Sequence, residues 1–470
     1  MAHTQDQIAS FYHLVGNDLQ QASCRGLACF VARDQNPRRW SEALAQSDRV
    51  YCLGKCYAAP ASSEENSRPR IEVHSPQAVV LARLAKGSAR TLRQYQDGEG
   101  YRALIKALDS SPAEIVQAVE VSGLRGRGGA AFPTGKKWRM VLKQETQSKI
   151  VVANADEGDP GAYIDRLLLE DDPFSLIEAM TIAGYAVGSS RGYIYLRKEY
   201  PAAAASLLAA LAEARGHHLL GSNILSSAFS FDIELATGQG SYVCGEETSL
   251  LNSLEGVRPE VRPRPPYPSE QGLFHQPTLI NNVETLANIP WIVLHGGEAY
   301  QRMGFSNSRG TKVVSLNSLF RRPGLYEVEF GIPVRRIVEE IGGGLTAGEL
   351  QGLIIGGPLA GIIPPQLLDT PLGFEELHAI GAGVGHGSCV AFDQRTSIAE
   401  LVQHVFDFGA FESCGKCTPC RLGTRRIARM TCDPAQWNLS EFKDMVEALN
   451  TTSFCAMGTG LGEFAASVLR

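Results

Sequence analysis

Five glycines fall within the thirteen residues from Gly123 to Gly135, inside the stretch SGLRGRGGAAFPTGKKW at 122–138. Residues without Cβ let successive backbone N–H groups turn toward one point, and such a concavity binds anions. Arg125, Arg127, Lys136 and Lys137 bring four cations to the same loop. Pro133 and Thr134, followed by KKWRMVLK, predict a helix start, and a helix N-terminus also favours a phosphate. The competing reading is a flexible surface loop. The pattern is not G-x-x-x-x-G-K-[ST], nor is it G-x-G-x-x-G between a strand and a helix. The loop therefore predicts a phosphate-bearing cofactor other than a conventionally bound dinucleotide.

Four further stretches supply what that loop lacks. IVVANADEGDPGAY, 150–163, reads as a short buried strand whose C-terminal end delivers Asn154, Asp156, Glu157 and Asp159 together. Ligands of α/β sheets sit beyond the carboxyl ends of strands, where these groups can hold hydroxyls and ring N–H groups. The competing reading is an acidic turn. FDIELATGQGSYVCGEETSLLNSLEG, 231–256, repeats the arrangement: an alternating strand, glycines, then Tyr242, Gly245, Glu246 and Glu247 before a helix. Adjacent glutamates are equally a solvated helix start. PRPPYP, 263–268, is a rigid connector bearing Arg264 and Tyr267. PTLINNVETLAN, 277–288, brings Asn281 and Asn282 to another helix start. Ser111-Pro112-Ala113-Glu114 predicts a capping box, and 171–190 and 202–214 read as helices.

Eleven cysteines in 470 residues, with no basic and apolar leader among the first twenty, predict metal ligands in a cytoplasmic protein more than disulfides. Cys414-x2-Cys417-x2-Cys420 with a remote Cys455 is the spacing of a [4Fe–4S] cluster, with zinc the alternative. Cys24-x4-Cys29 and Cys52-x3-Cys56 put four thiols on two loops, enough for a [2Fe–2S] cluster; zinc or unrelated buried cysteines are the alternatives. Cys244, Cys389 and Cys432 are read as small buried residues, and His386 as structural. Net charge is −6 with no basic stripe, which argues against nucleic acid, and no apolar run could span a bilayer.

Taken in this order, the motifs over about residues 110–458 resemble the flavoprotein subunit of respiratory complex I. They are similar also to its soluble relatives, the diaphorase subunits of NAD-linked formate dehydrogenases and NAD-reducing hydrogenases. The resemblance implies FMN on Gly126, Arg127, Gly128 and Gly129, with Lys137, Asn154, Asp156, Glu157, Gly245, Glu246, Glu247, Asn281 and Asn282 around it. It implies NAD(H) near Phe132, Asp159, Tyr242, Glu247, Arg264 and Tyr267. Met140 stands where the family carries an aromatic. Hydride transfer needs no acid, base or nucleophile, so Glu157 and Glu247 enter as cofactor-positioning residues. The implied architecture is α/β: a Rossmann-like FMN/NAD(H) core at 111–310, a ubiquitin-like α+β domain at 311–400 and a helical [4Fe–4S] domain at 401–470. A short thioredoxin-like [2Fe–2S] module at 1–75 and a helical linker at 76–110 precede them. The expected role is NAD⁺ reduction as the beta subunit of a soluble metal-dependent formate dehydrogenase. The diaphorase of a bidirectional hydrogenase and a complex I subunit are the alternatives. The metal site for the ultimate donor would lie on a large partner subunit, joined by a small ferredoxin-like one.

Overall fold

The computed structural model describes residues 11–17, 19–433, 435 and 437–470. Residues 11–69 form no strand among those described. Helices Leu27–Val31 and Pro37–Ala45 and isolated bridges such as Cys24 to Val50 organise them. Strand β1 (Arg70–Val73) pairs in parallel with a strand of a distant sheet. Among the described residues this segment therefore builds no sheet of its own such as a thioredoxin-like module at 1–75 would have. Only 22 residues separate Cys29 from Cys52, and one helix and its turns use them up. The segment is instead part of the main core. Arg166 Nη1 donates to the Gly54 carbonyl at 2.8 Å and Arg197 Nη2 to the Tyr51 carbonyl at 3.1 Å. A Cβ on Gly26 would stand 3.0 Å from Pro160 Cβ. The linker at 76–110 is helical mainly in its second half, at Leu92–Asp97 and Arg102–Leu108.

The capping box forms as expected. Ser111 Oγ accepts from Glu114 N at 3.3 Å, the Glu114 carboxylate accepts from Ser111 N at 2.8 Å, and helix Pro112–Val121 follows. Next come four parallel strands, β2 (Ile150–Ala155), β3 (Arg191–Leu196), β4 (Asp232–Thr237) and β5 (Thr278–Asn282). Their spatial order is β4-β3-β2-β5. The chain thus steps outward twice from β2, then returns to its other side. That reversal between β2 and β5 is a topological switch point, where the strand ends open a crevice. Strand β5 was not expected from the sequence; its five residues lead directly into helix Val283–Ala287. Helix Pro173–Val187 packs on this sheet, and fourteen of its fifteen residues are buried, which explains its apolar run. Gly188 ends it with φ +76°, a left-handed cap that favours glycine.

A short hairpin, β6 (Gly304–Phe305) and β7 (Ser308–Arg309), leads to the second sheet. Strands β8 (Thr311–Leu316) and β9 (Gly324–Glu329) form an antiparallel hairpin. Helical turns at 334–341, β10 (Leu350–Ile355), the two-residue β11 (Ile362–Ile363) and β12 (Ser388–Asp393) follow. The order is β1-β9-β8-β12-β10-β11, with β12 central, parallel to β8 and antiparallel to β10. A fully buried ion pair, Lys312 with Glu284, joins β8 to the helix that follows β5, and Glu284 Oε1 also accepts from Val313 N at 2.9 Å. Among the described residues, α-helices Ile398–Glu412, Thr424–Cys432, Leu439–Thr452 and Ala456–Val468 follow, with a π-helical turn at Pro419–Gly423. Among the described residues no helix is long and apolar enough to cross a membrane.

Candidate functional site

A cavity of about 610 Å³ opens at the switch point. Its floor is the ends of β2 and β5; its walls are the glycine loop, the Tyr242–Glu247 turn and the 356–360 and 383–386 loops of the second sheet. That volume suits a cofactor-sized ligand.

The glycine loop is closed at its base by Gly126 N to Phe132 O at 2.9 Å and Thr134 N to Leu124 O at 2.8 Å. Inside that ring the N–H groups of Gly128, Gly129 and Ala130 donate to no acceptor among the described residues. These three residues line the cavity, as does Gly126. A row of free donors, with Gly129 at a φ of +114°, has the backbone geometry that an anion concavity needs. The four cations are not arrayed around it. Arg127 is fully buried and turned away: its guanidinium donates to Tyr300 Oη at 3.0 Å and to the Arg309 carbonyl at 2.7 Å, over the Phe330 ring. Arg125 pairs with Glu375. Of the four, only Lys137 lines the cavity.

Asn154, Asp156, Asn281 and Asn282 all reach the cavity. Asn154 Nδ2 donates to the Gly245 carbonyl at 2.8 Å, and Asn281 Oδ1 accepts from Trp138 Nε1 at 2.9 Å. Asn282 caps helix Val283–Ala287 and donates to Asp165 Oδ2 at 2.6 Å. Asp156 Oδ2 is enclosed and makes no hydrogen bond. Burial, then the nearby Glu199 and Glu412, push its carboxyl up to about 8 against the pull of Arg197. An orphaned buried carboxyl beside a cavity is a donor or acceptor kept for a ligand. Glu157 behaves differently from the expectation. It does not line the cavity but caps helix Ile164–Asp171, accepting from Ile164 N at 2.7 Å, Asp165 N and Arg166 N at 3.1 Å and Tyr200 Oη at 3.1 Å. Adjacent acidic residues cannot be told apart by sequence; here both lie past the end of β2, and the start of helix Ile164–Asp171 captures only Glu157.

At the mouth, Phe132 and Tyr267 are large exposed rings, 40% and 48% accessible, that line the same cavity. Glu247 lies between Lys137 Nζ at 3.0 Å and Arg264 Nη1 at 3.2 Å. Burial alone would raise its carboxyl, but those two cations hold it below the usual range. Glu246 also lines the cavity, yet its carboxylate caps helix Glu247–Leu254 through Thr248 N and Ser249 N, so the helix-start reading holds for it. Tyr242 Oη donates to Asp159 Oδ1 at 2.6 Å, and burial raises the Asp159 carboxyl. Gly245 also lines the cavity, as does Met140.

Cys414, Cys417 and Cys420 are buried, and Cys455 is half-buried beside them. Cys455 also lines the cavity, so the thiol site and the cofactor site share a wall. Four zinc-bound sulfurs would lie about 3.8 Å apart, the edge of a tetrahedron with 2.3 Å bonds. Among the described residues no three of these Sγ atoms lie mutually within 4.8 Å of one another. The N-terminal thiols lie close together, with Cys52 Sγ 3.3 Å from Cys56 Sγ. Each of Cys24, Cys29, Cys52 and Cys56 is 1% exposed, and three accept backbone N–H groups, from Gly26 at 3.3 Å, Ala61 at 3.4 Å and Gly54 at 3.2 Å. Cys244 and Cys389 are buried as expected, whereas Cys432 is exposed.

The family model described as the Nuo51 FMN-binding domain matches residues 119–291, and that of the NADH-ubiquinone oxidoreductase-F iron-sulfur binding region matches 400–470. The chain is 41% identical over 389 residues to the F 2 subunit of the NADH-quinone oxidoreductase of Rhizobium meliloti, covering 81% of this chain and 92% of that one. The chain belongs to the family of NADH-quinone oxidoreductase F subunits. It is thus an NAD(H)-dependent oxidoreductase with FMN-binding and [4Fe–4S]-binding domains. Another relative of this F-type chain is the NADP-reducing hydrogenase subunit HndC of Solidesulfovibrio fructosivorans, 43% identical over 365 residues, 76% of this chain and 74% of that one. A solved NAD⁺-reducing [NiFe]-hydrogenase in its H2-reduced state has a TM-score of 0.83 at 29% identity, covering 99% of this chain and 86% of its own. Sequence reasoning about the cavity of this F-type chain missed Asp165 and His386, which line it from the helix after β2 and the loop before β12. No spacing links those positions; only the packing of the two sheets does.

Proposed function

We propose that the chain is a diaphorase subunit that exchanges hydride between NAD(H) and FMN and passes single electrons to its own cysteine-bound clusters. The observation that carries this reading is Cys455, which belongs at once to the cavity wall and to the C-terminal thiol group. Bound FMN supplies the one chemistry needed, since a flavin trades electrons in pairs with a nicotinamide and singly with iron–sulfur clusters. The free N–H groups of Gly128, Gly129 and Ala130 hold its phosphate. Asn154, Asp156, Asn281 and Asn282 orient it from the strand ends. Phe132 and Tyr267 stack on the nicotinamide dinucleotide at the mouth. Asp159 and Tyr242 close the wall beside it, and Glu247, fixed by Lys137 and Arg264, accepts from ribose hydroxyls. Cys414, Cys417, Cys420 and Cys455 bind the [4Fe–4S] cluster. Cys24, Cys29, Cys52 and Cys56 bind a [2Fe–2S] cluster, a reading supported by their burial and N–H donors. The hairpin, helical turn and central parallel strand support the ubiquitin-like reading of 311–400.

The electron donor or acceptor beyond these clusters lies on a large metal-containing partner subunit, reached through a small ferredoxin-like one. The sequence resemblance favours a formate-oxidising partner. The 99% coverage by an NAD⁺-reducing [NiFe]-hydrogenase favours a hydrogen-oxidising one. Purifying the chain with its native partners and measuring NAD⁺ reduction decides between them. Formate-dependent turnover is expected; turnover with hydrogen alone selects the second reading, and turnover with neither contradicts both.

A further inference from the structure

His386 is 5% exposed and sits in the cavity wall beside Asn282 and Asp165. Its Nε2 is enclosed, 3.1 Å from Asp165 Oδ2 and 3.4 Å from Glu157 Oε1, without a well-aligned hydrogen bond to either. Its Nδ1 makes no hydrogen bond among the described residues, and the residue lines the cavity. Two buried carboxylates on one side and an unbonded nitrogen on the other make this an unusual wall residue. A metal ion among the three is unnecessary. Glu157 and Asp165 already accept several N–H groups, and a protonated ring supplies the missing positive charge.

We propose that His386 is a positioning residue held as an imidazolium, donating from Nδ1 to the bound flavin and favouring its reduced, more electron-rich state. The inference rests on the FMN reading of the cavity. The groups facing His386 support the charge. Burial opposes protonation, but Asp165 and then Glu157 outweigh it, raising the imidazole to about 9. Lys312, whose Nζ donates to the His386 carbonyl at 3.2 Å, opposes it weakly, and Asp159 across the wall is stabilised by it. A cation fixed beside a group that gains electrons stabilises the reduced state, and its low-dielectric surroundings strengthen that effect.

The test is a spectroelectrochemical titration of flavin in the intact protein between pH 6 and 10, comparing wild type with His386→Asn and His386→Gln. Both variants keep a neutral N–H donor. With flavin retained, each is expected to lower the reduced-to-oxidised ratio at a fixed potential at least tenfold near pH 7. For a two-electron couple that is about 30 mV. The difference should shrink toward pH 10, as the wild type loses its cation. A histidine that serves only the fold would lower thermal stability and leave the potential and its pH dependence at wild-type values, and that result overturns the proposal. Absence of flavin from the wild-type protein would overturn the reading of the cavity itself, and this inference with it.

Discussion

Replacing Gly128 with valine is expected to yield protein that purifies without FMN. A Cβ at this position would stand 2.9 Å from Asn282 Cβ and 3.1 Å from its Cγ. Asn282 cannot yield easily. It ends β5, caps helix Val283–Ala287 through Thr285 N at 3.1 Å, and donates to Asp165. The two further methyls of valine would add to that overlap in a loop that lines the cavity. Overpacking of this kind costs about 1–3 kcal/mol, and about 1.4 kcal/mol is tenfold in affinity. The flavin-to-protein ratio after desalting should fall at least tenfold. Gly126→Ala is the matched control. Its Cβ would meet nothing closer than the Phe132 carbonyl at 3.7 Å, so flavin should be retained. Full flavin in Gly128→Val would remove the phosphate from this loop.

The N-terminal segment should prove inseparable from the cofactor site. Removing residues 1–75 takes the Tyr51 and Gly54 carbonyls from Arg197 and Arg166 and strips β1 from the edge of β9. It also exposes Pro160, on the loop that carries Asp156 and Asp159. Arg166 keeps Glu170 and Arg197 keeps Glu199, but each buried N–H left without its acceptor costs about 1–3 kcal/mol. The truncated chain is therefore expected to lose flavin and solubility together. Cys56→Ser, a change of one buried atom, should lose iron while keeping flavin. Iron and flavin per chain, measured on both variants, check this. A truncated chain with full flavin would restore an independent module, and full iron in Cys56→Ser would make its cysteines structural.

The parts of this protein legible in sequence are those whose chemistry is local. The strands at 150–155 and 232–237, the capping box at Ser111 and the x2 spacing of Cys414, Cys417 and Cys420 each carry their own periodicity or spacing. Strand β12 was not legible, because its central place depends on pairing with β8 and β10, far apart in sequence. Arg127 illustrates the same limit within the site. Its neighbours suggested a phosphate ligand, but Tyr300 and Phe330, brought in by later segments, capture it. Glu157 was drawn to a helix terminus, and His386 gained its setting only when the second sheet closed on the first. The N-terminal cysteines were legible as a thiol site, while the fold around them was not.

The most direct measurement of the central claim is an anaerobic NADH titration of the intact protein and of Cys417→Ser, followed by flavin absorbance and low-temperature EPR. The account predicts that NADH bleaches the flavin in both proteins. A reduced [4Fe–4S] signal should develop in the wild type and be lost in the variant. Flavin that NADH fails to bleach, or a [4Fe–4S] signal that survives in Cys417→Ser, would contradict it.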